Sequence, residues 1–277
     1  MLVTLKEILT LADSVAAFNV FGYEDTAAVL RAAASCRQPV ILMTNKPAVD
    51  FMPLEVLGPM LVTMAKAAPV PVCVHLDHST NREDICRAID AGYTSVMFDG
   101  SQLPLEENIA KSREIVELAH PAGVSVEAEI GSVGYADPSV AAKAAYTDPE
   151  QAVRFAEEVR PDALAVAVGT VHRMQQQTAL LDFELLHRLR QCLTLPLVIH
   201  GSSGVPDADI IRLCKAGVSK MNFGTALRMT FGNTLRQTMA DRPTEFDRLK
   251  LFVPSMDAVA EKAAEKFRLV AGQEETT

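Results

Sequence analysis

With 277 residues, 49% of them apolar and 22% charged, the chain can bury a large core, and its net charge of −9 argues against a nucleic-acid-binding surface. No apolar run approaches the ~20 residues that cross a bilayer, and the start Met1-Leu2-Val3-Thr4-Leu5-Lys6-Glu7 lacks the charged-then-apolar order of a signal peptide. The five cysteines form no CxxC pair, which suits a reducing compartment better than a disulfide framework, so a soluble, cytoplasmic protein is predicted.

In chain order, strand-like apolar runs fall at 15–20, 40–44, 72–77, 95–99, 125–130, 163–168, 197–200 and 220–223. Stretches with helical spacing follow them at 24–35, 54–67, 82–91, 105–120, 149–158, 183–192, 207–215 and 225–240. Continuous apolar β-formers alternating with amphipathic helices predict a parallel sheet covered on both sides. Helix starts are marked by Asp148-Pro149-Glu150 and Val205-Pro206-Asp207, and helix ends by Ala91-Gly92, Ala122-Gly123 and Ala216-Gly217. Eight such βα units in about 250 residues spell a single-domain α/β protein, a (β/α)8 or TIM barrel over residues 1–277. A C-terminal helix and a frayed tail from about residue 270 complete it. The longest irregular stretch, 131–147, follows the fifth run and reads as a lid or binding loop.

Chemically loaded residues sit at the C-terminal ends of the runs, the end where barrels build active sites. The third ends in His75-Leu76-Asp77-His78, the sixth leads through Gly169-Thr170-Val171 to His172, and the seventh ends in His200. Three of only six histidines thus occupy equivalent positions, and three neutral imidazoles with an open fourth position form a recurring catalytic zinc site. His75, on the opposite parity of the strand to His78, is read as structural, and His120 and His187 as surface residues. Asp77 has two roles open to it, orienting an imidazole or acting as a general acid/base. Asp99, Glu127 and Glu129 add acids after the fourth run and within the fifth. Glu127 and Glu129 share a face and need a cation, whether a metal or a Lys or Arg partner. His200-Gly201-Ser202-Ser203-Gly204 and Asn222-Phe223-Gly224-Thr225 follow the last two runs, where barrels commonly hold phosphate on backbone amides.

Together these residues resemble the class II, metal-dependent ketose-bisphosphate aldolases, most closely the tagatose-bisphosphate branch. The resemblance runs from Ala17-Phe18-Asn19-Val20 to Lys220-Met221-Asn222. Its most specific pieces are the His75–His78 segment, Glu127-Ala128-Glu129-Ile130-Gly131, Tyr146-Thr147-Asp148-Pro149-Glu150, Asp162 through Thr170, and Pro196 through Gly201. It implies one zinc per subunit on His78, His172 and His200, with Asp99 and Glu129 as acids able to bind a second or displaced metal. A monovalent cation, Na+ or K+, is a further implied ion. Asp77 is implied as the proton-transfer residue. Gly201, Ser202 and Ser203 with Asn222, Phe223, Gly224 and Thr225 are implied as the cradle of a dihydroxyacetone phosphate unit, with Asn19 and Gly169 also contacting substrate. The implied protein is a homodimer or homotetramer acting on a phosphorylated sugar, without nucleic-acid or membrane partners.

Three departures stand out. Family members usually carry Gly-Gly where this chain has Gly134-Tyr135, and two residues further on a proton-donating glutamate where it has Asp137, one methylene shorter. A glycine usually follows the second metal histidine, where Arg173 stands here. Arg173 offers a permanently charged fork for an extra substrate anion. These changes leave the fold alone and bear on the substrate. A class I aldolase would instead need a Schiff-base lysine, with Lys220 and Lys46 the nearest candidates. A barrel subunit that keeps its zinc but only stabilises a partner is the non-enzymatic alternative, resting on Tyr135 and Arg173.

Overall fold

A computed structural model describes residues 1–136 and 143–273. Its elements run α1 (Leu5–Ile8), β1 (Val15–Asn19), α2 (Tyr23–Cys36), β2 (Val40–Thr44), α3 (Lys46–Phe51), α4 (Leu54–Ala67), β3 (Val72–Ser79) and α5 (Arg82–Asp90). They continue with β4 (Ser95–Phe98), α6 (Leu105–Ala119), β5 (Ser125–Ile130), β6 (Gly134–Tyr135), α7 (Pro149–Val159), β7 (Ala163–Val166) and β8 (Val171–His172). The last are α8 (Phe183–Cys192), β9 (Leu197–Ile199), α9 (Asp207–Lys215), β10 (Val218–Phe223), α10 (Thr225–Asp241) and α11 (Arg248–Val270).

Eight strands close into a parallel barrel in the order β1-β2-β3-β4-β5-β7-β9-β10, with β10 pairing back onto β1. Each of them is the strand expected at its apolar run, for the reason expected: both faces are buried, so Val, Ile, Leu and Ala fill them without alternation. The limits shift by a few residues. The seventh strand of the chain, β7, ends at Val166, and β10 begins at Val218, earlier than the run at 220. Helix punctuation follows local chemistry: the Asp148 side chain accepts from Gln151 N–H with Pro149 in the first turn of α7. At α9 Pro206 is itself the cap residue.

Two features carried no clear sequence signal. Short α1, closed by a capping box between Thr4 and Glu7, lays Leu5 and Ile8 over the N-terminal mouth of the barrel. There they pack with Val15, Ile41, Cys73, Ala163 and Val198, all buried. Four-residue α1 is too short to hold itself together, so it stands on this burial. The second feature is the parallel ladder of β6 and β8, two residues each, outside the barrel and above its C-terminal end. All five cysteines are free thiols, and only Cys73 is buried. Among the described residues no helix is long and apolar enough to cross a membrane.

Candidate active site

The interior of β3 reads Cys73, His75, Asp77 on alternate positions, and strict alternation would send His78 to the outer face. It does not go there. The pairing with β4 slips between Leu76 and Ser79, so that one extra residue is accommodated, and His78 takes φ +52°. Such a bulge re-aims side chains, and here it brings Asp77 and His78 to the same opening. A left-handed backbone costs an L-residue roughly 1–2 kcal/mol, and this one sits on a site residue.

His78 then meets His172, at the end of β8, and His200, just past β9. The ring centroids of His78 lie 4.9 Å from His172 and 4.5 Å from His200. One nitrogen of each of the three lies within 4.8 Å of the others. His78 Nε2 stands 2.7 Å from His200 Nδ1, while the far nitrogens face carboxylates: His78 Nδ1 to Asp99 at 2.7 Å, His200 Nε2 to Glu127 at 2.9 Å. A carboxylate behind an imidazole fixes the tautomer with its proton on the far side, leaving a lone pair facing the cluster. This donor set fits a divalent metal such as zinc, which favours imidazole nitrogen. His78, Asp99 and Glu129 form a second, overlapping set. Glu129 Oε2 is buried without a hydrogen-bond partner among the described residues, 3.8 Å from His78 Nδ1.

The electrostatics of the metal-free protein point the same way. Burial works against a charged His78, yet Asp77, Asp99 and Glu129 outweigh it and raise its pKa to about 10. Burial and the neighbouring His78 hold His172 and His200 below the usual histidine range, so both are neutral. Surrounded by acids, the cluster demands a cation, and a proton between His78 and His200 supplies it when no metal does. Burial pushes Glu129 well above the usual carboxylate range, reinforced by Asp99.

Asp77 lies beneath this cluster, 3% exposed. Its Oδ2 accepts from Asn19 Nδ2 at 2.9 Å and its Oδ1 from Asn222 Nδ2 at 3.4 Å. Burial raises its pKa, but His78, His200 and Lys220 overcome that and hold it at about 2. Asn19 can stand where it does because position 224 is glycine: a Cβ there would sit 2.7 Å from Asn19 Oδ1. Deeper in the barrel Glu127 bridges His200 and Lys220, whose Nζ is 2.8 Å from Oε2, all three fully buried. Of the two shared-face acids, Glu127 has therefore taken a lysine partner and Glu129 has not. Lys220, sealed in that pair, has no exposed amine to form a Schiff base, and Lys46 is 73% exposed and paired with Asp50. His75, neutral because burial lowers its pKa to about 3, bonds Ser95 Oγ and belongs to the interior packing.

A cavity of about 370 Å³ opens above these groups, with Asp77, His78, Asp99 and His172 at its base. Gly201, Ser203, Asn222, Gly224 and Thr225 line one side. Gly201 adopts φ +67°, and the Ser203 hydroxyl accepts from the N–H groups of Gly224 and Ala226 at the start of α10, each at 3.2 Å. Those amides are the donors a phosphate would take at a helix N-terminus. Of the cradle residues expected from sequence, Ser202 and Phe223 do not reach this cavity. The Ser202 hydroxyl bonds Ile199 O, and the Phe223 ring packs 5.6 Å from Phe18 in the core. Gly169 also lies off it, against Leu180 O. Arg173 lines the cavity with φ +61°, the left-handed conformation that favours glycine, and its guanidinium stands 5.7 Å from the Tyr135 ring. Asp137 lies outside the described residues.

Sequence reasoning passed over Asn45 and Arg228, which also line the cavity. Arg228 sits three residues after Thr225 on the same helical face, and Asn45 directly follows the second run, so both signals were present.

The model of the class-II fructose-bisphosphate aldolases matches residues 3–275. The chain belongs to that family. This aldolase is 38% identical over 280 residues to a probable fructose-bisphosphate aldolase of Bacillus subtilis (strain 168), covering 96% of each chain. The crystal structure of the YdjI aldolase from Escherichia coli K12 superposes with a TM-score of 0.86, 34% identity and full coverage of both chains. A fructose-bisphosphate aldolase structure from Campylobacter jejuni, at 22% identity and TM-score 0.82 over 97% of this chain and 95% of that one, shares the fold. The protein is thus an enzyme, an aldehyde-lyase that cleaves a carbon–carbon bond. The partner-stabilising alternative is set aside by that membership.

Proposed function

We propose that this aldolase reversibly cleaves a phosphorylated ketose to dihydroxyacetone phosphate and an aldehyde, using one divalent metal, zinc, on His78, His172 and His200. The observation that carries the reading is the convergence of three imidazole nitrogens within 4.8 Å, directly above a buried, ionised Asp77. When bound, the metal supplies a Lewis acid for the carbonyl and hydroxyl oxygens of the ketose.

The remaining steps belong to the protein. Asp77, aimed by Asn19 and Asn222, takes the C4 hydroxyl proton as the C3–C4 bond breaks and returns it in condensation. Asp137 is the acid proposed to exchange the proton at carbon. Gly201, Ser203, Asn222, Gly224 and Thr225 bind the phosphate, holding the reacting bond over Asp77 with binding energy drawn from a non-reacting group. Asp99 serves first to orient His78. Together with Glu129 and its unpartnered oxygen it offers a place for a displaced metal or a monovalent cation. Arg173 and the 131–147 loop select the distal end of the substrate. Exposed Met239, Phe246, Leu249 and Val253 around α10 and α11 support a homo-oligomer, and five free thiols support a cytoplasmic location.

The test is a retro-aldol screen of ketose phosphates, with dihydroxyacetone phosphate detected by a coupled reductase. It is run with and without EDTA, on the wild type and on Arg173→Gly. Chelator-sensitive release from some members of the set is expected, with the variant changing their order of preference. Release that survives EDTA would overturn the metal, and equal effects on all substrates would remove Arg173 from specificity.

A further inference from the structure

The three imidazoles are not held alike. His78 is backed by Asp99 at 2.7 Å and His200 by Glu127 at 2.9 Å, each through the ring nitrogen away from the cluster. The His172 ring has no hydrogen-bond partner among the described residues. Besides the other two imidazoles of the cluster, it meets Tyr135, whose ring lies 4.8 Å from it, tilted by 33°. The backbone joins the same two residues. Tyr135 pairs with His172 in the β6–β8 ladder, and Ala136 N–H donates to His172 O at 2.9 Å. Arg173, next in the chain, brings its guanidinium to 5.7 Å from the same tyrosine ring.

We propose that Tyr135 is the positioning residue of His172: its ring face restrains the imidazole, as a carboxylate restrains each of the other two. Offset or tilted rings at 4.5–7 Å attract and limit rotation about the bond that a hydrogen bond would otherwise fix. Tyr135 lies on the loop after β5, whereas Glu127 is within β5 and Asp99 directly follows β4, its N–H bonded to Ser79 O of β3 at 2.8 Å. One of the three ligands is therefore tied to a loop, and any movement of residues 134–136 reaches the metal through His172. This inference rests on the metal reading above.

Its test is metal binding, read without turnover. Cobalt(II) is titrated into the metal-free wild type, Tyr135→Phe, Tyr135→Ala and His172→Ala, recording the visible ligand-field bands, the dissociation constant against a competing chelator and the melting temperature. Tyr135→Phe, which keeps the ring, is expected to match the wild type within about twofold. Tyr135→Ala is expected to weaken cobalt about 10-fold and to shift the bands, the scale seen when a residue supporting a metal ligand is lost. Wild-type bands and affinity in Tyr135→Ala, with His172→Ala impaired, would overturn the positioning role and leave the metal site standing. A Tyr135→Phe variant as impaired as Tyr135→Ala would overturn it too, since the hydroxyl and not the ring would then matter. Unimpaired binding by His172→Ala would overturn both readings. Equal melting temperatures for the two Tyr135 variants separate a local effect from unfolding.

Discussion

At its N-terminal mouth the barrel is closed by Leu5 and Ile8 over Val15, Ile41, Cys73 and Val198. At its C-terminal mouth the same set of strands presents Asn19, Asp77, Glu129 and Asn222, with His200 just beyond, all nearly inaccessible to water. The strands are continuous, so the difference lies only in what each places at its two ends. A buried aliphatic side chain stabilises by about 1.5–3 kcal/mol, whereas each buried ion costs several before its partners repay it. Apolar closure at one end lets the fold carry that cost at the other. Between them the Lys220–Glu127–His200 chain joins the two regimes, a cation and an anion neutralised at 2.8 Å beneath the metal cluster.

The largest effects are expected at the polar mouth. His172→Ala or His200→Ala should abolish both stoichiometric zinc and activity, measured by metal analysis and retro-aldol assay on one preparation. Full zinc in either variant would break the assignment. Next comes Asp77→Ala, expected to retain zinc and fold while losing about 10²–10⁴ in rate, the scale of a general acid/base. If metal affinity falls alongside rate, Asp77 is orienting an imidazole instead.

The apolar mouth should respond in the opposite manner. Ile8→Ala removes a buried side chain where large-to-small changes cost about 2–5 kcal/mol, so denaturant stability should drop by that amount. Turnover per folded molecule should not change. A loss of kcat without unfolding would show that the two ends are coupled more tightly than the strand layout implies.

Much of this division was legible beforehand. The eight runs were readable because strands buried on both faces leave uninterrupted Val, Ile, Leu and Ala, and His78, His172 and His200 were readable because they end such runs or follow them within a few residues. The bulge at Asp77–His78 was not, since parity assumes an unbroken ladder and nothing in His-Leu-Asp-His marks a register slip. Lys220 looked like a candidate nucleophile because sequence does not show that Glu127, 93 positions away, closes on it. The β6–β8 ladder was hidden for a similar reason. Two-residue strands have no periodicity to detect, and Gly134-Tyr135 reads simply as loop.

The smallest predicted effect tests whether the polar mouth extends beyond its reacting groups. Asp25, in the first turn of α2, accepts from Phe21 N–H at 3.1 Å beside the cavity wall. Burial raises its carboxyl from the ordinary 3.8 to about 6, against the pull of the Phe21 hydrogen bond. The folded protein thus holds a proton there that the unfolded chain has already released between roughly pH 4 and 6. Where the unfolded state binds fewer protons, stability falls as pH rises, so Asp25 destabilises the fold above about pH 6 and not below pH 4. Asp25→Asn keeps an oxygen for the Phe21 amide but cannot ionise. Relative to wild type it should therefore gain on the order of 1–2 kcal/mol on moving from pH 4 to pH 8, since one pKa unit corresponds to ~1.4 kcal/mol and partial solvent access reduces the effect. Paired thermal melts at the two pH values measure it. An offset between variant and wild type that is the same at both would mean that Asp25 ionises as freely in the fold as in water, and that the buried-charge cost stops at the groups that face the cavity.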